Sequence, residues 1–163
     1  ANLEVAEGLF ERLYEARFSQ LTASVEVLAA DFGFKQAMAT ADLATISSVL
    51  DNHGARAGAD LAAIVGLDGQ VLRSDARHPA LERDAAWPDI VAQLRRDNYA
   101  LATLALDGAA HQVVAVPVLA PEAIGWLLMG FDVGAPLAAE MRRLTGLEVS
   151  FLAGGARPAL LGS

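Results

Sequence analysis

The chain has 163 residues, 54% of them hydrophobic and 20% charged, with a net charge of −8 and no cysteine. That length and apolar share suit one globular domain with a real core and exclude a disordered chain. The acidic balance argues against a nucleic-acid partner, and the lack of cysteine excludes disulfides, thiol catalysis and zinc–thiolate sites. Aromatic residues make up only 6%, so Ala, Leu and Val must fill most of that core.

Residues 3–32 read as one long helix. Phe18, Leu21, Val25, Leu28 and Phe32 recur every three or four positions, and Leu3, Ala6, Phe10 and Leu13 continue the stripe toward the N-terminus. A helix of that length spans about 45 Å. Its first half is expected to project past the rest of the domain and to pair with a second copy of the chain, giving a homodimer through the N-terminal helix. The other reading is that the stripe packs wholly on this chain's own sheet. Gly33 is read as the helix breaker, which sets a first segment at 1–33.

A short helix over Lys35–Ala39 follows. Asp42 is placed to cap another over Leu43–Asn52, with Leu43, Ile46, Val49 and Leu50 inward and Gly54 at its left-handed end. Residues 61–75 (LAAIVGLDGQVLRSD) and 101–118 (LATLALDGAAHQVVAVPV) are each an apolar run, Leu-Asp-Gly and a second run. Asp-Gly between such runs is a hairpin signal, because Gly accepts the positive φ of a tight turn. Residues 76–86 form a polar loop. Pro88 fits the start of a helix with Ile90, Val91 and Leu94 inward and Asn98 at its end. A third apolar run covers Ile124–Val133. Pro136 opens a helix carrying Leu137, Met141 and Leu144, with Arg142 and Arg143 in its last turn and Gly146 after it. A last strand covers Leu147–Leu152, and the tail 154–163 is expected to fray. The predicted fold is α+β, a long N-terminal helix on an antiparallel sheet of about five strands with flanking helices.

Catalytic chemistry finds no foothold in the pattern. His53, His78 and His111 lack ligand spacing, no G-x-S-x-G elbow exists, and Gly154-Gly155 opens no helix. His111 is expected on an exposed strand start. No cofactor, metal or enzymatic activity is expected. What remains is a set of polar and aromatic groups near the sheet: Arg73, Asp75, Trp87, Tyr99, Gln112 and Trp126. An aromatic rim with one Arg and one Asp suits a small polar ligand. The plainer reading makes Trp126 core and Arg73 a solvated strand end.

Two stretches carry a resemblance to a family. DFGFKQAMATADLATISSVLDNHGARAGADLAAIVGLDGQVL and HQVVAVPVLAPEAIGWLLMGFDVGAPLAAEMRRLTGLEVSFL resemble extracytoplasmic Cache-type sensor domains in their double-Cache form. The likeness covers roughly residues 10–152 and lies in core and turn patterns. It implies a PAS-like sensor lobe at 34–153 that binds a small molecule on its sheet face. It also implies a periplasmic domain of a bacterial transmembrane receptor, such as a sensor histidine kinase or a diguanylate cyclase or phosphodiesterase. The membrane would enter only through spans outside this sequence, since no run here approaches about 20 apolar residues. The chain begins within a helix and ends on ARPALLGS, so it reads as a piece of a longer protein, and a double-Cache chain would continue into a second lobe after Leu152. The alternative function is a structural dimerisation module that binds no ligand; a small cytosolic enzyme or PAS-type cofactor binder is the third.

Overall fold

A computed structural model of the chain describes residues 2–74, 81–146, 149–152 and 159–162. The first helix, α1 (Asn2–Ala29), places Leu21, Val25 and Leu28 in the core as their spacing requires. It ends three residues earlier than the stripe predicts. Asp31 is extended and its carboxylate accepts a hydrogen bond from Phe34 N (2.8 Å), which starts a new helix, α2 (Phe32–Ala39). Gly33 therefore lies inside a helix and breaks nothing, while Phe32 is 78% exposed instead of inward. An N-cap at Asp31 competes with continuation of α1 and wins. Replacing Asp31 with Ala should cost about 1 kcal/mol, measured by urea denaturation; no loss would mean that α2 is held by Phe34 and Ala37 alone.

Helix α3 (Leu43–Ala57) is capped by Asp42, which accepts from Thr45 N and Thr45 Oγ1 (3.1 and 2.7 Å). Those two bonds, the hydroxyl's first, hold the Asp42 carboxyl below its ordinary pKa. The helix runs five residues beyond Asn52. Its left-handed end is Gly58 (φ 72°) and not Gly54, which is buried within the helix. A Cβ on Gly54 would stand 3.6 Å from that of Ala62, so this Gly serves close packing. Ile46 and Leu50 face inward, but Leu43, in the first turn, stays exposed.

Five strands form the main sheet: β1 (Leu61–Val65), β2 (Val71–Ser74), β3 (Ala100–Leu106), β4 (Ala109–Leu119) and β5 (Ala123–Asp132). Their order is β2-β1-β5-β4-β3, with every neighbouring pair antiparallel. Asp107 and Gly108 both take positive φ (51° and 78°) and join β3 to β4 as a two-residue turn. Helix α4 (Trp87–Asp97) follows a single 3-10 turn at Leu81–Arg83, and α5 (Gly134–Thr145) follows β5. Asn98 and Gly146 close these two helices in left-handed conformations, as expected. Strand β6 (Val149–Leu152) pairs with β7 (Ala159–Gly162). The expected loose tail thus holds a strand at 159–162; Gly154 itself lies outside the described residues.

Alternation along the strands makes two cores. Leu61, Ala63, Val65, Val113, Ala115 and Leu128 meet α4. Ala62, Ile64, Val114, Val116, Leu127 and Met129 meet the second half of α1 and helices α2 and α3. The first half of α1 does not project. Ala6, Phe10 and Tyr14 pack with Ala110, Val133, Leu137 and Met141 of the β4–α5 region. The stripe from which a partner helix was expected is largely covered by α5, because that helix supplies apolar surface within the same chain.

Candidate functional site

Of the six predicted site residues, Trp87 and Trp126 fall on one face of the sheet and Tyr99 and Gln112 on the other. Trp87, on α4, and Trp126, on β5, belong to the core on the α4 face, nearly buried (7% and 4% exposed) with Ile90, Leu94 and Leu128. The Trp126 indole N–H donates to Asn98 Oδ1 (2.8 Å), which satisfies its one polar atom. This part of the α4 face is packed hydrocarbon. Arg73 lies on the edge strand β2, where its Nε donates to Ser47 Oγ (2.7 Å). It does not converge with the aromatics. Asp75 lies outside the described residues.

Tyr99 and Gln112 take the opposite face, with α1. The expected single rim fails for a simple reason: a shift of one position in a strand moves a side chain through the sheet. Gln112 is fully buried (0% exposed), and its Nε2 donates to the backbone carbonyl of Tyr14 on α1 (2.9 Å). Thr103 is its cross-strand neighbour, and the Thr103 and Tyr14 hydroxyls share a hydrogen bond. Eight residues along α1, Thr22 donates to Phe18 O (2.7 Å), so the Tyr99 hydroxyl (3.2 Å) donates to Thr22 Oγ1. Among the described residues, these three polar links tie α1 to β3, to β4 and to Tyr99 just before β3.

Beside these links a cleft of about 590 Å³ opens between α1 and β3. Its walls are the rings of Tyr14, Phe18 and Tyr99, the side chains of Thr22 and Leu101, and a polar line of α1 that includes Glu15 and Glu26. Phe18 meets Tyr14 edge to face (5.1 Å, 89°), so the aromatic wall is fixed. The volume falls within the usual range of small-molecule sites. Tyr14, Thr22 and Thr103 were not singled out from sequence. Thr103 interrupting the aliphatic run of β3 was the available signal; Tyr14 and Thr22 are hidden in an apolar helix stripe.

A second cleft, about 320 Å³, lies between α1 and α5 against Leu13, Arg17, Leu137 and Glu140. Glu140 is held by Arg143 (2.6 Å), a hydrogen bond that lowers its pKa. His111 is buried and not exposed, because β4 lies between β3 and β5 and pairs it with Leu104 on one side and Asp132 on the other; its Nε2 is 3.8 Å from Asp60 Oδ2, which also accepts from Asp132 N (2.7 Å). Among the described residues no group of three or more His, Asp or Glu could hold a metal ion.

Residues 1–159 match the family described as the double sensory domain of two-component sensor kinase. The chain belongs to this double-Cache family. Solved structures place the fold beside other sensor domains. The DctB histidine kinase sensor domain of V. cholerae superposes with a TM-score of 0.65 at 16% identity, covering 85% of this chain and 57% of that one. The Vibrio cholerae LuxQ periplasmic domain gives the same TM-score and identity over 100% of this chain and 78% of that one. A domain of a putative sensory box/GGDEF family protein from Vibrio parahaemolyticus gives 0.53 at 9% identity, over 93% and 69%. The chain thus spans little more than half of the DctB domain. No curated protein matches it. Among the described residues of this double-Cache domain, no helix is long and apolar enough to cross a membrane.

Proposed function

We propose that this double-Cache domain is the extracytoplasmic, non-enzymatic ligand-sensing part of a bacterial transmembrane receptor. A small molecule enters the cleft between α1 and β3, and α1 carries the response toward the membrane. The observation that supports this reading is that α1 is itself one wall of the cleft. Tyr14 and Thr22 line the cavity and also make the hydrogen bonds that dock α1 on the sheet. A ligand that competes for either hydroxyl acts directly on the docking of the long helix. It can shift α1 only by its difference in affinity between the docked and displaced states.

The test is a thermal-shift screen of amino acids, organic acids, amines and neutral polyols, with native mass spectrometry of the purified domain. Selective stabilisation by one class is expected, and it should vanish in Ala23→Trp. Ala23 is exposed and lines the cleft, so the indole fills the cavity at little cost to the fold. A protein that carries nothing and responds to no class overturns the reading in favour of a structural module.

A further inference from the structure

We infer that the cleft between α1 and β3 takes an elongated organic dication, an aliphatic chain with an ammonium group at each end. This rests on the cleft being the ligand seat, and it adds the chemistry of the ligand. Glu15 and Glu26 both line the cavity and stand eleven positions apart on α1. Eleven positions are three turns, so the two carboxylates project from the same side of the helix about 16 Å apart along its axis. A small monoamine reaches one of them. A dicarboxylate meets like charge at both.

The wall between the carboxylates is suited to the middle of such a chain. Phe18 and Leu101 offer hydrocarbon to methylenes, while the Tyr14 and Tyr99 rings offer aromatic faces and edges to ammonium groups. The Ser19 and Thr22 hydroxyls provide acceptors along the same line. Among the described residues, the lining includes no Lys, Arg or His, so nothing in the wall supplies the opposite charge. The net charge of −8 adds a long-range attraction for cations.

The experiment is isothermal titration calorimetry of the domain with 1,4-diaminobutane, 1,8-diaminooctane and 1,12-diaminododecane at matched ionic strength. Butylamine, adipate and tetraethylene glycol serve as monocation, dianion and neutral-chain probes. 1,12-Diaminododecane should bind tightest and 1,4-diaminobutane weakest, because only the longest chain spans the two carboxylates. Glu15→Gln and Glu26→Gln should each weaken 1,12-diaminododecane roughly tenfold, and Ala23→Trp should abolish binding. All three positions are exposed, so the melting temperature of each unliganded variant should stay near that of the parent. Glu4→Gln and Asp89→Asn, exposed carboxylates outside the cleft, should leave the affinity unchanged.

An equal loss in Glu4→Gln or Asp89→Asn would reduce the effect to diffuse attraction for cations and overturn the inference. Binding of tetraethylene glycol or adipate that Ala23→Trp abolishes would keep the cleft as the ligand seat and overturn the dication. Should Ala23→Trp alter the sedimentation of the protein while 1,12-diaminododecane has no effect, a second copy of the chain fills the cleft, and both readings fall.

Discussion

Removing residues 1–12 should unfold the domain or leave it close to its midpoint at room temperature, and Phe10→Ala alone should cost about 3–5 kcal/mol. Phe10 is 7% exposed and stacks with Tyr14, their ring centroids 5.7 Å apart. With Ala6 it covers Val133, Leu137 and Met141, so truncation uncovers one face of α5 as well as losing its own burial. A domain of this size has total stability of about 5–15 kcal/mol, and one deletion here is a large fraction of that. Urea denaturation monitored by circular dichroism gives the number. Leu3→Ala is the control: Leu3 is largely exposed and should shift the midpoint little. A truncated chain that keeps full stability but loses self-association would restore the projecting helix expected from sequence.

That contrast marks where local pattern ends. The Asp107-Gly108 turn, the cap at Asp42 and the helix ends at Asn98 and Gly146 are local, and each was readable from a few adjacent residues. The apolar stripe of α1 was readable too, but not what covers it, since α5 lies more than a hundred residues away. Gly33 and Gly54 misled for a related reason. A glycine inside a helix costs only about 1 kcal/mol relative to Ala, and capping by Asp31 or packing against Ala62 outweighs it. The candidate site was half legible. Residue type pointed to Tyr99, Gln112, Trp87 and Trp126, yet the faces that Gln112 and Trp126 take follow from strand register, and register is a property of pairs. The hydroxyl pair of Tyr14 and Thr103 joins positions 89 apart and has no local sequence mark.

The register also couples the two faces of the sheet. Strands β4 and β5 turn Val113, Ala115 and Leu128 toward α4, and Val114, Val116 and Met129 toward the α1–α3 side. A displacement of these strands is therefore felt on both sides at once. Tight packing passes such a shift on, because close-packed interiors yield little. Polar links concentrated at Tyr14, Thr22 and Gln112 then decide how firmly the helix follows.

Gln112→Glu should be the most damaging single substitution at that junction, costing about 3–5 kcal/mol at neutral pH. Gln112 is fully buried, and its amide N–H₂ is what meets the Tyr14 carbonyl. Among the described residues its Oε1 has no hydrogen-bond partner. A carboxylate there would face the carbonyl with lone pairs on both sides and lie away from water, so both burial and the acceptor opposite would raise its pKa. The sign of the pH dependence follows. With the folded pKa raised above the unfolded value of about 4.3, the penalty is absent at low pH, where both states are protonated and the acid can donate to Tyr14 O. It grows as pH climbs above the unfolded value, by about 1.4 kcal/mol per unit, until the folded group also ionises. The variant should therefore approach the parent near pH 4 and fall away from it by pH 7, a difference read from urea midpoints of both proteins at each pH. Gln112→Met separates charge from shape: it loses one hydrogen bond but also removes the unpartnered Oε1, so it should stay within about 1 kcal/mol of the parent at every pH. If Gln112→Glu and Gln112→Met are equally stable at pH 7, the junction between β4 and α1 is wet, and the polar links there do not govern how α1 docks.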